Sequence, residues 1–166
     1  MGAFHIREDT DLKHIKLIAA ASLVAICIGA IGSFDARGAD GVSLFASGLN
    51  GPRGLKFGPD RYLYVAEAGL GGTTSTIGQC PQVPTPPGPY FGGRTARISK
   101  VGPNGMRITV AEGLPSATTG AGGNEGVADI AFIDDDLYAL IAGGGCSHGN
   151  PDFPASVIRV NRRNGT

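Results

Sequence analysis

The sequence has no tryptophan, two methionines and three cysteines among 166 residues, and only 17% of it is charged. The 14 basic and 14 acidic side chains balance to a formal net charge of zero. A nucleic-acid binder needs a basic face to displace counterions from phosphates, so the balance argues against that class. The same balance gives no electrostatic reason for adhesion to anionic lipid. Catalytic signatures are also missing. There is no Gly-x-Ser-x-Gly elbow and no His-x-x-x-His pair. Gly71-Gly72 and Gly143-Gly144-Gly145 lack the strand–loop–helix setting of a phosphate cradle.

What the chain has in abundance is glycine, at 28 residues, with 11 prolines. That composition without a collagen period fits either disorder or a turn-rich all-β fold. The apolar segments decide for β. They are short and alternating, and Gly, Pro, Asn and Asp bound them.

One apolar run differs. Leu17 to Ser33 carries no charge, follows Lys13, His14 and Lys16, and precedes Asp35 and Arg37. A charged leader, an apolar run and small residues describe a signal peptide, with Ala30-Ile31-Gly32 and Ala36-Arg37-Gly38 as cleavage candidates. Glu8, Asp9 and Asp11 in the leader, and a run just under bilayer-spanning length, leave a retained anchor as the competing reading. Residues 1–39 are thus read as a signal peptide or membrane-anchor helix. Residues from about Asp40 onward then lie outside the cytoplasm, secreted or periplasmic. Membrane contact is expected only through residues 17–33, if uncleaved.

Self-similarity organises the remainder. Phe45-Ala46-Ser47-Gly48-Leu49 is echoed by Val110-Ala111-Glu112-Gly113-Leu114. Arg53 to Phe57 and Tyr62 to Ala66 are echoed by Ala128 to Phe132 and Asp136 to Leu140. Arg97 to Gly105 is echoed by Val157 to Gly165. Four strands are predicted at about 53–57, 62–67, 96–101 and 106–112, and three more at about 127–133, 136–142 and 156–160. Gly58-Pro59-Asp60 and Gly102-Pro103-Asn104-Gly105 supply the turn chemistry. A four-stranded antiparallel unit used repeatedly is a propeller blade. The expectation is an all-β, partial β-propeller over residues 40–166, with blade 1 at about 53–112 and blade 2 at about 127–166. Segment 42–48 matches a fourth strand and is read as ring-closing. Two blades do not close a ring, so the chain is read as an N-terminal fragment.

The string SGLNGPRGLKFGPDRYLYVAEAG, followed by TARISKVGPNG and VAEGLP, resembles the ScyD/ScyE family of exported propeller-like proteins. More loosely it is similar to NHL-type and SMP-30-like six-bladed propellers. The resemblance covers about Val42 to Gly165. It implies fold and export, not a reaction. In that family the loop after the second strand commonly carries two cysteines. Here Cys80 is present, and Tyr90-Phe91 stands where its partner would be.

Up-and-down connectivity puts the tight turns at 58–61, 102–105, 133–136 and 161–164 on one face. The long loops 68–94, 115–126 and 143–155 fall on the other, where a rigid scaffold usually carries function. Glu67, Asn124, Glu125, Asp129, Cys146, His148 and Asp152 are its polar candidates. Of these, Glu67, Glu125, Asp129 and His148 would suit a divalent cation, the one cofactor considered. Backbone capping by Asp and Asn in Gly-rich loops is the competing account. Asp134-Asp135-Asp136 sits on the short-turn face and reads as a solvated hairpin. Cys80 and Cys146 would remain after signal cleavage and lie in corresponding loops of adjacent blades. They are a disulfide candidate that spacing alone does not establish. The leading expectation is a non-enzymatic binding or scaffold module for an unidentified small molecule or protein. The alternative is an inactive N-terminal piece of a six-bladed enzyme, a metal-dependent hydrolase or lactonase or a sugar oxidoreductase.

Overall fold

The computed structural model describes residues 41–161. The signal or anchor reading of residues 1–39 lies outside them, as do the last residues of the predicted second blade. Among the described residues no helix is long and apolar enough to cross a membrane. The chain divides into a unit of residues 1–43 and a unit Leu44–Thr166. The second unit carries all the strands found among the described residues.

It is all-β and consists of two antiparallel sheets. The first contains β1 (Pro52–Phe57), β2 (Leu63–Glu67), β3 (Tyr90–Val101), β4 (Arg107–Thr119) and the short β5 (Asn124–Glu125), in that spatial order. The second contains β6 (Val127–Ile133), β7 (Asp136–Ile141) and β8 (Ser156–Val160). A single 3-10 turn at Cys146–His148 lies between β7 and β8.

The hairpins form where turn residues demand them. In the first, the Gly58 amide donates to the Tyr62 carbonyl at 2.9 Å while Arg61 takes φ 63°. Asp60 reinforces the turn by accepting from the Tyr64 hydroxyl and from Lys100 Nζ, both at 3.0 Å. In the β3–β4 turn, the Gly102 amide donates to the Met106 carbonyl at 3.0 Å.

The β3–β4 hairpin is longer than the sequence suggested. β3 starts at Tyr90 rather than about 96, and β4 runs to Thr119 rather than about 112. Residues assigned to long loops therefore continue the ladder, with Tyr90 opposite Thr119 and Gly92 opposite Ala117. Gly92 is needed there because a Cβ would sit 2.1 Å from the Gly149 carbonyl oxygen of the neighbouring loop. Segment 42–48, read as a strand, belongs to no ladder. Its Leu44 and Phe45 are exposed.

The sheets share strand order and register. Leu63 stands between Phe57 and Val101, and Leu137 between Phe132 and Val160. Tyr64 stands between Lys56 and Lys100, and Tyr138 between Ala131 and Arg159. This corrects the sequence alignment by one residue: the counterpart of Val101 is Val160, not Asn161. Since strand side chains alternate, that slip moves each residue of β8 to the opposite face.

The core forms where the first sheet's Tyr64, Ala66, Ile98 and Ala111 meet the second sheet's Ile130, Leu137, Ala139 and Val160. Tyr64 and Phe132 pack edge to face, 5.0 Å between centroids. Such a pair adds about 1 kcal/mol beyond its buried area. β1 and β6 approach closely at Gly54, where a Cβ would lie 2.2 Å from Asp129 Oδ1.

Candidate functional site

The end of the unit formed by the β2–β3 and β7–β8 connections is tied by polar side chains that are themselves buried. Ser116 Oγ donates to the Ala68 carbonyl at 2.6 Å and accepts from the Gly71 amide at 2.8 Å. Asn150 Nδ2 donates to the Ser116 carbonyl at 2.9 Å and to the Gly143 carbonyl at 2.7 Å. Buried side chains placed so bridge backbone groups that no ladder satisfies. Cys80 and Cys146 form a disulfide with a Cα–Cα distance of 6.3 Å, joining the two connections covalently.

Against this frame lies a pocket of about 390 Å³, lined by Arg53, Tyr90, Asn124, Glu125, Ala128 and Ala142 together with Gly123 and Gly126. Its size falls in the usual range for small-molecule sites, roughly 300–1,000 Å³. Arg53 is held at the rim because its Nη2 donates to the Asn124 carbonyl. Glu125 carries a partner on each oxygen. The Tyr90 hydroxyl donates to Oε1 at 2.8 Å, and His148 Nε2 lies 3.1 Å from Oε2. The Tyr90 and His148 rings pack with centroids 4.6 Å apart. Ser147 Oγ lies 3.1 Å from His148 Nδ1. The pocket thus offers one guanidinium, one carboxylate with fixed orientation, an aromatic wall and two alanine methyls.

Burial, reinforced by its bond to Glu125, pushes the Tyr90 hydroxyl up to about 12. Glu125→Gln removes the negative acceptor, so the Tyr90 midpoint should fall toward the ordinary 10.0. Ultraviolet difference titration at the phenolate band checks this. An unmoved midpoint would show that burial alone sets it.

The four residues considered for a cation do not converge. Among the described residues no group of three or more His, Cys, Asp or Glu side chains is placed to hold a metal ion. Glu125 and His148 meet, as above. Glu67 is fully buried and occupied elsewhere, accepting from Arg97 Nε at 2.8 Å, the Asn50 amide at 2.5 Å and Ser99 Oγ at 2.5 Å. Burial raises its pKa, but Arg97, the Asn50 amide and Ser99 outweigh burial and leave it lowered. Asp129 caps its own neighbour, accepting from the Ile130 amide at 2.8 Å. The sequence reading missed Arg53 and Tyr90 as site residues. Tyr90 had one signal, its place where a second loop cysteine was expected. Arg53 had none, since it sits in a strand-forming stretch 72 positions from Glu125 in a different part of the chain.

Comparison with family models, with curated proteins and with solved structures returned no match.

Proposed function

We propose that the chain is an extracytoplasmic binding module of the ScyD/ScyE type, its two sheets successive propeller blades, with a small-molecule site at the long-connection end. The pocket carries this reading. It combines the requisite volume with a few convergent polar groups on rigid strand ends, the usual form of a ligand site. Arg53 and Glu125 at opposite chemical polarity suit a ligand with both an acidic or carbonyl oxygen and a hydroxyl or amine donor. The disulfide supports export, since such bonds persist in oxidising compartments.

A ligand-observed magnetic resonance screen of small hydroxy acids, sugars and amino acids tests the reading. Binders should lose about tenfold or more in affinity with Arg53→Glu, which reverses the charge facing the ligand. Lys56→Ala, a neighbour outside the pocket, should leave affinity unchanged. Binding indifferent to Arg53 and Glu125 would remove the pocket from consideration.

A further inference from the structure

The pocket holds two opposite charges that do not pair with each other. Arg53 and Glu125 both line it. Among the described residues, Arg53 has no carboxylate within ion-pair distance, and Glu125 meets only His148. Opposite charges on the wall of one cavity attract, yet here each is fastened to something else. Arg53 Nη2 donates to the Asn124 carbonyl. Asn124 is itself pinned, its Nδ2 donating to the Gly69 carbonyl at 3.2 Å and its backbone paired with Thr118. The Glu125 oxygens are engaged by the Tyr90 hydroxyl and by His148 Nε2. Residue 124 therefore holds the cation, and the Tyr90–His148 pair holds the anion.

Both groups keep bonding capacity. A guanidinium stays charged and has five N–H donors, so one bond to a carbonyl leaves most of them unused. Each carboxylate oxygen has two lone pairs, so one partner on each leaves each able to accept again. A ligand with a single charge would neutralise one of these groups and leave the other desolvated without a counter-charge, which is costly. The rest of the lining offers no charge. It consists of the Ala128 and Ala142 methyls, the Tyr90 ring, and Gly123 and Gly126, which bring no side chain.

We infer that the ligand is a zwitterion, a free α-amino acid with a small apolar side chain. Its carboxylate meets Arg53, its ammonium group meets Glu125, and its side chain lies against the methyls of Ala128 and Ala142. Ligand and pocket then each present one charge of either sign, and none is left alone. A hydroxy acid would bring only a neutral donor to Glu125, and a sugar only neutral groups to both. Tyr90 and His148 act as positioning residues for the Glu125 carboxylate. This inference rests on the pocket being the ligand site, as proposed above, and narrows that site to one class of ligand.

Ligand-observed magnetic resonance on the full chain, with alanine, valine and leucine as probes, tests it. Each probe is compared with its matched hydroxy acid, with the acid lacking the amino group and with the amine lacking the carboxyl group. The best amino acid should bind about tenfold or more tighter than any of its three analogues. Arg53→Gln should lower its affinity by about tenfold or more and leave that of the amine unchanged. Glu125→Gln should lower it by a similar factor and leave that of the amino-free acid unchanged. Gly123→Leu should fold and abolish binding, because a Cβ there meets only Thr119 Oγ1, at 3.5 Å, and the larger side chain fills the pocket. Analogues that bind as tightly as the amino acids, or amino acids that fail where a sugar or hydroxy acid binds in an Arg53-dependent way, overturn the zwitterion and leave the pocket a ligand site. Amino-acid binding that survives Gly123→Leu and both charge variants overturns the inference and the pocket together.

Discussion

Reducing the Cys80–Cys146 bond is expected to lower the unfolding free energy by about 4 kcal/mol. The cysteines are 66 positions apart. In the chain-entropy account, a cross-link of that span removes about 4 kcal/mol of freedom from the unfolded chain. Domains of this size hold only about 5–15 kcal/mol in total, so the loss is a large share. The bond also ties the β2–β3 connection to the 3-10 turn that carries His148. Reduction should therefore loosen the Tyr90–Glu125–His148 arrangement before the sheets themselves separate. Urea unfolding with and without reductant measures the first effect. Cys146→Ser in oxidising buffer should match the reduced wild type. Coincident midpoints for oxidised and reduced protein would mean that hydrogen bonds, those of Ser116 and Asn150 and that from the Thr76 hydroxyl to the Cys146 carbonyl among them, suffice to hold these connections together.

Arg97→Ala should cost about as much, on the order of 3–5 kcal/mol, because it leaves a buried carboxylate without its counter-charge. Glu67 is 0% exposed and Arg97 is its only cationic partner within bonding distance among the described residues. Glu67→Gln should cost less, about 1–3 kcal/mol, since the amide keeps some hydrogen bonds and removes the charge. The pair also dictates a pH dependence. Burial raises the Glu67 pKa, but Arg97, the Asn50 amide and Ser99 together lower it by more, so the folded value lies below the unfolded one. A carboxylate of that kind contributes fully above its unfolded pKa and loses the contribution as pH falls through the folded value. Asp60, lowered by Lys100 and Tyr64 against the opposing effect of burial, acts in the same direction. Urea midpoints followed from neutral to acid pH should fall steeply for the wild type and less steeply for Glu67→Gln. Parallel curves would show that Glu67 is not the group responsible.

Much of the strand pattern was legible because the turns announce themselves. Gly58-Pro59-Asp60 and Gly102 to Gly105 bound strands at the positions expected, and β1, β2, β6, β7 and β8 follow the alternation of their apolar residues. The extension of the β3–β4 hairpin was not legible. Gly92-Gly93 and Pro115 read locally as loop, and what keeps them extended is tertiary. A neighbouring backbone occupies the space beside Gly92, and Ser116 bonds to the Ala68 carbonyl. The register of β8 was misjudged for a related reason. Ile158, Val160 and Val157 are all apolar, so the alternation does not say which face is buried, and pairing with β7 decides it. At the site, Glu125 and His148 were visible as polar residues in glycine-rich connections. Their meeting was not, because it depends on β5 and the 3-10 turn, neither of which has a sequence signature. Glu67 was singled out as a candidate cation ligand, and the Arg97, Asn50 and Ser99 donors that occupy it have no sequence signature.

Gly54 has a meaning for descent. The spacing of β1 and β6 is fixed there by an atom that is not present, with Asp129 Oδ1 filling its place. The connections can lengthen, shorten or drift among relatives with little consequence for this seam. A methyl group at Gly54 meets the carboxylate, so a change there requires the Asp129 side chain to move. In any lineage that carries this fold, positions 54 and 129 should therefore be inherited as a couple, with a larger residue at one matched by a smaller residue at the other.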